Sequence, residues 1–340
     1  MRHWLIHFLV APLLLACLIQ GRTAEAAEPV RLILDTDMGN DIDDALALAM
    51  IHALQNRGEV QLLAVTITKD NRWAAPFVNL ENTFYGRPEI PIGVVHNGKT
   101  PEDSNYLRET AQHRDAAGHY LYPHRIENGA DAVDAVALLQ KILKSQPDHS
   151  VTIAQIGFST NLSRLLKTPG GRDLVSRKVK LLSLMAGNFQ KTTPEFNVYT
   201  DPEAAQYLFE HSPVPVVFSG FEIGLQVPFH YRSILNDFNY TPHHPVVDAY
   251  KIYLPKGEDR PDWDSTAALY AIRPDRGYFD LSAPGRVTLG PKNSTVFTED
   301  PAGNCRYLVL KPGQAPRIDA VIESLVSEPP NPSRAAQTGK

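Results

Sequence analysis

Cysteine is nearly absent from this chain, and so is any excess of positive charge. Of 340 residues only two are cysteines, and because Cys17 lies in an apolar N-terminal segment, Cys305 alone cannot build a disulfide framework in the mature protein. Lysine and arginine total 33 against 38 acidic residues, which gives a net charge of −5, and no basic stripe interrupts this balance. The sequence therefore predicts no nucleic-acid partner and no stable membrane partner.

The longest apolar run lies at the N-terminus and predicts an export signal. Residues 4–19 are apolar, two basic residues precede them, and small residues at 24–27 resemble a cleavage site. We therefore expect a signal peptide over 1–26 and a periplasmic or secreted protein. A lipoprotein signal at Cys17 is the less favoured alternative because apolar residues continue past it, and a retained anchor is disfavoured by the short run and by Pro12.

One acidic stretch joins a strand pattern to a helix pattern. An apolar run over 30–34 ends in five aspartates within ten residues, and an apolar helical periodicity begins at Leu46. Such crowded carboxylates repel one another unless a multivalent cation neutralises them, and an all-oxygen set without histidine or cysteine favours Ca²⁺ or Mg²⁺ over zinc. The alternative is an acidic turn with one aspartate as a helix cap. The five residues are Asp35, Asp37, Asp41, Asp43 and Asp44.

Strand and helix patterns alternate along the rest of the chain and predict an α/β fold. We expect a single domain over 28–326 with a mostly parallel, Rossmann-like open sheet flanked by helices, then a disordered, proline-rich tail over 327–340. A polar segment over 97–131 shows no clean periodicity and is interpreted as a long loop or lid. Predicted strands are 30–34, 61–68, 90–95, 150–156, 179–185 and 214–219; predicted helices are 46–57, 76–85, 132–144, 162–166, 202–211, 246–254 and 265–272; 286–310 is a β-rich hairpin region.

Polar residues follow several of the predicted strands. Because ligands bind outside the carboxyl ends of the strands in open α/β sheets, these residues are expected to meet at one edge. Besides the aspartates they include the segments 69–71, 157–161, 187–188 and 195–197. This convergence predicts one polar site.

The acidic stretch also resembles the signature of the inosine-uridine preferring nucleoside hydrolase family. The family pattern is Asp-x-Asp-x-Gly-x-Asp-Asp, and this chain differs from its shortest form by two extra residues, Asn40 and Asp41. The resemblance covers about 30–325 and includes later segments that match in order. These are Leu63-Ala64-Val65-Thr66 with Asn71, Ile156-Gly157-Phe158-Ser159-Thr160-Asn161, Glu195-Phe196-Asn197-Val198, Asp201-Pro202-Glu203-Ala204-Ala205 and Trp263-Asp264-Ser265-Thr266-Ala267.

The resemblance implies the nucleoside hydrolase fold, calcium-dependent hydrolysis of the N-glycosidic bond of ribonucleosides, and a homo-oligomer. Asp37 would act as the general base that activates a metal-bound water. The implied Ca²⁺ ligands are Asp37, Asp44, Asp264 and the carbonyl of Ile156, and the implied ribose-binding residues are Asp43, Asn71, Glu195, Asn197 and Asp264.

Trp263 stands where many family members carry a histidine implicated in leaving-group activation. Its flat indole predicts stacking on a purine base, with domain packing as the alternative. Several single residues also have structural alternatives: Asn71 as a turn residue, the segment 195–197 as an ordinary loop, and Asp264 as a helix cap.

Two other functions are consistent with parts of the sequence. An exported ribonucleoside-binding protein without turnover would use the same pocket. A haloacid-dehalogenase-type phosphatase would use Asp35 and Asp37 after the first strand, but that class expects a short Asp-x-Asp-Gly-Thr loop in place of the further aspartates.

Overall fold

The computed structural model of the protein describes residues 28–331. The predicted signal peptide over 1–26, with Cys17, and residues 332–340 of the predicted tail lie outside this range. Within it, no helix combines the length and the apolar character needed to cross a membrane.

A large, mostly parallel sheet forms the centre of the molecule. The strands are Val30–Thr36 (β1), Val60–Lys69 (β2), Ile92–Lys99 (β3), Val133–Asp134 (β4), Val151–Gln155 (β5), Val179–Met185 (β6), Val216–Ser219 (β7), Pro228–Phe229 (β8), Arg260–Pro261 (β9), Asp280–Leu281 (β10), Gly285–Leu289 (β11), Thr295–Glu299 (β12) and Cys305–Val309 (β13). Their order is β12-β11-β13-β7-β6-β5-β1-β2-β3-β4, with β10 on β13, while β8 and β9 form a separate two-stranded sheet. From β13 through β7 to β4, each strand in this order is parallel to its neighbour. Strands β10, β11 and β12 are antiparallel to the strands with which they pair.

Helices cover the sheet and fill most of the connections between strands. They are Asp43–Asn56 (α1), Ala74–Phe84 (α2), Asn105–Gln112 (α3), Ala135–Ser145 (α4), Thr160–Lys167 (α5), Gly171–Lys178 (α6), Phe196–Thr200 (α7), Pro202–His211 (α8), Phe221–Gly224 (α9), Tyr231–Asn236 (α10), Pro245–Tyr253 (α11), Trp263–Ile272 (α12) and Gln314–Val326 (α13).

Strand β1 lies in the middle of the sheet and contributes to both faces. Successive side chains of a strand point to opposite faces, so Leu32 and Leu34 enter one hydrophobic core while Ile33 enters the other. All three are fully buried. Burial on both faces explains why β1 is a continuous apolar run rather than an alternating one.

The strand order reverses between β1 and β5. From β1 the chain runs outward through β2, β3 and β4 on one side, and then through β5, β6 and β7 on the other. The carboxyl ends of β1 and β5 therefore flank the crevice in which open α/β sheets bind ligands. The two ends approach closely at Gly157, where a Cβ would lie 2.5 Å from the backbone nitrogen of Asp37.

The predicted single α/β domain with a mostly parallel sheet is confirmed, and its differences from the structure are local. The segment 97–131, predicted as an irregular loop, contains α3, whose Tyr106 and Leu107 are buried in the core. The predicted strand 179–185 and helix 202–211 have the observed bounds. Helices α6, α7, α9, α10 and α13 are not among the predicted elements.

Candidate active site

A cavity of about 300 Å³ opens at the carboxyl ends of β1 and β5. Acidic residues of the β1–α1 loop form one wall, and the starts of α7, α9 and α12 form others. The lining residues are Asp37, Asn40, Asp41, Asp43, Asp44, Ile156, Met185, Glu195, Phe196, Asn197, Phe221, Tyr253, Arg260, Trp263 and Asp264. The residues to which the family resemblance gives a role, except Asn71, thus line one cavity together with Trp263, whereas Asp35 and the segments 69–71, 157–161 and 187–188 do not line it.

Three aspartates form a compact, buried cluster in this cavity. Asp43, Asp44 and Asp264 each place a carboxylate oxygen within 4.8 Å of the other two. Burial, followed by repulsion from neighbouring carboxylates, raises the pKa of each well above its ordinary value. Hard oxygen donors at this spacing suit a divalent cation of the Ca²⁺ or Mg²⁺ type, which would offset the repulsion. The structure therefore contains an Asp-rich site that fits such a cation.

Neither Asp43 nor Asp44 caps α1, so the alternative of a simple capped turn is not what the structure shows. The residue at the cap position is Ile42, and no side chain caps this helix. Asp43 instead accepts hydrogen bonds from the backbone amides of Trp263 and Asp264, at 3.0 and 3.2 Å. Thr36 donates its hydroxyl to Asp44. These contacts hold both carboxylates at the cavity wall.

Asp264 is likewise not a helix cap. Asp262 has this role in α12, where its side chain accepts a hydrogen bond from the amide of Ser265 at 3.1 Å. The Asp264 side chain faces the acidic cluster and the cavity. It is therefore available to a cation or a substrate.

Asp37 lies beside the cluster in a polar environment of its own. The Asn40 side-chain nitrogen donates to it at 2.7 Å, and the ammonium of Lys69 donates to the Asn40 side-chain oxygen at 2.9 Å. Burial raises the pKa of Asp37 to about 6, against the lowering effects of the Asn40 hydrogen bond and the Lys69 charge. A carboxylate tuned to this range is suited to accept a proton near neutral pH.

Glu195 and Asn197 lie on the opposite side of the cavity, at the start of α7. The Glu195 carboxylate accepts hydrogen bonds from the amides of Gly187, Asn197 and Val198, at 2.8 to 3.2 Å. Burial raises the pKa of Glu195 to about 7, although these three bonds lower it. The Asn197 side chain donates to the carbonyl of Ile156 at 2.9 Å and thereby orients this predicted ligand. Glu195 and Asn197 are therefore fixed by hydrogen bonds at the cavity and do not belong to an ordinary surface loop.

Asn71 does not line the cavity. Its side-chain nitrogen donates to the carbonyls of Pro101 and Glu102, at 3.1 and 3.0 Å, and its side-chain oxygen accepts from the amide of Trp73 at 2.8 Å. The structure thus places the Asn71 side chain beside the segment before α3 and not among the residues that line the cavity. Because its amide is occupied by backbone groups, it ties the end of β2 to the segment before α3.

Trp263 lies at the first position of α12 with its indole at the cavity wall. The indole N–H donates to the carbonyl of Phe221 at 2.8 Å, and the two rings are stacked with centroids 5.4 Å apart. Trp263 therefore packs against Phe221 and also lines the cavity. The aromatic pair of Phe221 and Trp263 gives the acidic cavity one apolar side.

Several cavity residues were missed by the sequence analysis. Arg260 forms an ion pair with Asp41 through Nε and Nη2, and the two residues are 219 positions apart in the chain. Tyr253 at the end of α11 and Asn40 also line the cavity. No local pattern could reveal Arg260 as the partner of Asp41, because this ion pair depends on contact between distant segments.

An acidic, cation-compatible cavity at the switch point of an α/β sheet is typical of a hydrolytic enzyme site. Comparison with known proteins gives the family: residues 32–311 match the model for inosine-uridine preferring nucleoside hydrolases. The chain belongs to this family, whose members are enzymes that act on N-glycosyl bonds of ribonucleosides.

Individual relatives agree with this assignment. An uncharacterized protein of Schizosaccharomyces pombe is 30% identical over 271 residues, covering 72% of this chain and 81% of the relative. The inosine-uridine preferring nucleoside hydrolase of Crithidia fasciculata is 28% identical over 196 residues, covering 54% of this chain and 58% of that enzyme. The chain thus matches less than two thirds of the characterised enzyme's length.

Solved structures share the fold. The inosine-uridine preferring nucleoside hydrolase of Bacillus anthracis superposes with a TM-score of 0.67 at 20% sequence identity, covering 88% of this chain and 99% of that protein. At this identity the similarity establishes the architecture alone. The single-domain nucleoside hydrolase fold expected from the sequence is therefore confirmed.

Proposed function

We propose that this chain is a calcium-dependent ribonucleoside hydrolase in which Asp37 is the general base. One observation carries the proposal: Asp37, Asp43, Asp44 and Asp264 converge in one cavity at the switch point of the sheet. Family membership supports the reaction class. The hard oxygen donors of Asp44 and Asp264, which belong to the buried acidic cluster, support Ca²⁺.

The proposed cation ligands are Asp37, Asp44, Asp264 and the carbonyl of Ile156. Ca²⁺, when bound, would supply a Lewis-acid centre that makes a coordinated water more acidic. Asp37 takes the proton from the attacking water, and the pKa of about 6 leaves it mostly ionised at neutral pH. The C1′–N bond breaks with positive charge developing on the sugar, and the surrounding carboxylates stabilise that charge.

Ribose recognition is proposed for Asp43, Asp264, Glu195 and Asn197. The carboxylate oxygens of the three acidic residues and the side-chain oxygen of Asn197 can accept hydrogen bonds from the cis hydroxyls of a ribose, whereas the Asn197 side-chain nitrogen already donates to the carbonyls of Ile156 and Met185. Asn71 would act only indirectly, by holding the loop after β2. We expect a strong preference for ribonucleosides, and comparable turnover of a 2′-deoxyribonucleoside would contradict this part.

The aromatic pair of Phe221 and Trp263 is proposed as the surface on which a purine stacks. The Trp263→Ala variant should then cleave inosine or guanosine far less well, while an activated nitrophenyl riboside, which leaves without help, is much less affected. Equal losses on both substrates would count against purine stacking.

The phosphatase alternative is disfavoured by the position of Asp35. Its side chain is buried and accepts hydrogen bonds from Thr66 at 2.6 Å and Asn161 at 2.8 Å, and it does not line the cavity. A haloacid-dehalogenase-type site needs both aspartates of the Asp-x-Asp motif at the substrate.

The test is ribose release from inosine, guanosine, adenosine, uridine and cytidine, measured with and without a calcium chelator. The proposal expects release that the chelator abolishes and that added Ca²⁺ restores. A protein that binds ribonucleosides but releases no ribose would support the binding-protein alternative, and phosphate release from a phosphomonoester would support the phosphatase.

We further propose export of the mature chain and assembly into a homo-oligomer. The apolar segment over 4–19 supports export. Fractionation of cells tests export, and intracellular retention of the mature chain would contradict it. Light scattering of the purified protein tests assembly into a homo-oligomer.

A further inference from the structure

The proposed reaction leaves one need that the acidic cavity does not meet. When the C1′–N bond breaks, its electron pair passes to the nucleobase, so negative charge develops on the leaving group. Ionised carboxylates cannot donate a hydrogen bond to that charge, and both carboxyl oxygens of Glu195, whose pKa is raised, already accept hydrogen bonds from backbone amides. Of the described residues that line the cavity, none is a histidine or a lysine, and Arg260 is the only one with a cationic side chain.

Arg260 is held in a fixed orientation by Asp41. Nε donates to both carboxylate oxygens of Asp41, at 3.1 and 3.0 Å, and Nη2 donates to the same carboxylate. Asp41 is itself fixed, because Tyr106 donates its hydroxyl to the Asp41 carbonyl at 2.6 Å and the Ile42 amide donates to the Asp41 carboxylate at 2.6 Å. The guanidinium is therefore positioned before any substrate arrives.

The Nη1 atom of Arg260 has hydrogen-bond donors that are not used by Asp41. Within residues 28–331 the hydrogen bonds of Arg260 use Nε and Nη2 alone, which leaves Nη1 with two N–H groups. Cζ lies 5.2 Å from the ring centroid of Trp263 and 5.7 Å from that of Tyr253. The cation thus adjoins the aromatic wall at which the nucleobase is proposed to stack.

Asp41 belongs to the two extra residues by which this chain differs from the shortest family signature. Arg260 precedes Trp263 by three positions, and Trp263 occupies the place where many members carry a leaving-group histidine. Where many family members have a histidine, this chain has a tryptophan. It also has an additional aspartate, Asp41, whose carboxylate holds the side chain of Arg260.

We propose that Arg260, positioned by Asp41, donates a hydrogen bond to the departing nucleobase and stabilises the negative charge that forms on it. This inference rests on the proposed nucleoside hydrolysis. In the balanced step, water oxygen bonds to C1′ and its proton passes to Asp37, while the C1′–N electron pair goes to the base. Arg260 keeps its own protons, the base takes one from solvent, and Asp37 returns one to solvent.

The test compares inosine with 4-nitrophenyl riboside, whose leaving group is stable as an anion without a donor. Holoenzyme with Ca²⁺ is assayed as wild type, Arg260→Ala, Arg260→Lys and Asp41→Asn, with Arg172→Ala as an exposed control on α6. Loss of one donor to a developing anion costs roughly 10² to 10³ in kcat. We expect this loss for Arg260→Ala on inosine and less than about fivefold on the nitrophenyl substrate.

Three further readouts separate a leaving-group donor from a structural residue. Added guanidinium should restore part of the inosine kcat of Arg260→Ala. Arg260→Lys, which keeps a cation, should have an inosine kcat between those of the wild type and Arg260→Ala. It replaces Arg260→Ala in the test if the alanine variant does not fold. Asp41→Asn, which weakens the positioning contact, should lower inosine turnover about tenfold and the nitrophenyl rate by much less.

Parallel losses on both substrates, or no loss on inosine with Arg260→Ala and Arg260→Lys, would overturn the role of Arg260. In either case wild-type turnover would leave the proposed hydrolysis intact. If the wild type cleaves neither substrate, the hydrolase proposal itself fails, and the leaving-group role fails with it.

Discussion

The buried acidic cluster should make the stability of the folded protein depend on a bound cation. Asp43, Asp44 and Asp264 hold carboxylate oxygens within 4.8 Å of one another. At an effective dielectric constant of about 20, two unit charges at this distance repel by about 3 kcal/mol, so three ionised carboxylates would repel by about 10 kcal/mol in total, and without a cation the cluster must either bear this repulsion or take up protons, as the raised pKa of each aspartate indicates. The whole stability of a domain is roughly 5–15 kcal/mol. Removal of the cation should therefore lower the melting temperature markedly.

The expected size of the effect follows from ligand linkage. A cation present at about 1,000 times its Kd adds about 4 kcal/mol to the free energy of unfolding, or about 8 °C in melting temperature for a domain of this size. Scanning fluorimetry of chelator-treated protein, before and after addition of Ca²⁺, measures this shift.

The Asp264→Asn variant gives the sharper test, because it removes one charge from the cluster. In chelator it should melt above the wild type, since repulsion is reduced, and its response to Ca²⁺ should be largely lost. Asp173→Asn on the exposed surface of α6 is the control and should behave as wild type in both conditions. An equal Ca²⁺ response in Asp264→Asn and wild type would refute the reasoning.

Three further predictions concern the fold. Burial lowers the pKa of His52 to about 3, so His52 should remove about 2 kcal/mol from the free energy of unfolding between pH 6.5 and 5, as the unfolded state takes up the proton; in urea titrations the wild type should lose this amount relative to His52→Gln over that range, whereas exposed His119→Gln should follow the wild type. Leu34→Ala should cost roughly 2–5 kcal/mol by the same method, whereas Leu281→Ala on a surface strand should cost little, and equal costs would contradict the core assignment. Gly157→Ala should impair ribose release, because its Cβ would lie 2.5 Å from a backbone nitrogen; unchanged kcat would show that this close approach is unnecessary.

The central sheet could be predicted because its strands are long, apolar and bounded by clear turns. Strands β1, β2 and β6 are buried on both faces, which gives continuous apolar runs in the sequence. The short helix α3 was missed because its buried residues fit barely two turns within a polar segment. Helix α13 was missed although Ile318, Ile322 and Leu325 recur at helical spacing.

The acidic part of the site could be predicted because its residues are close in sequence, whereas the rest depends on tertiary contacts. Five aspartates in ten residues are visible without a structure. The ion pair between Asp41 and Arg260 joins the first loop to β9 and has no local signal. The sequence places Asn71 at the end of β2, but only the structure shows that its side-chain amide bonds backbone groups near α3.

Ribose release by Asp37→Asn, in Ca²⁺-loaded protein with inosine in excess, tests the central claim most directly. Calorimetric titration first establishes that the variant still binds Ca²⁺, so that loss of the base is separated from loss of the cation. The account predicts that kcat falls by roughly 10² or more while the wild type releases ribose and hypoxanthine in equal amounts. Ribose release at the wild-type rate from the Asp37→Asn protein would contradict it.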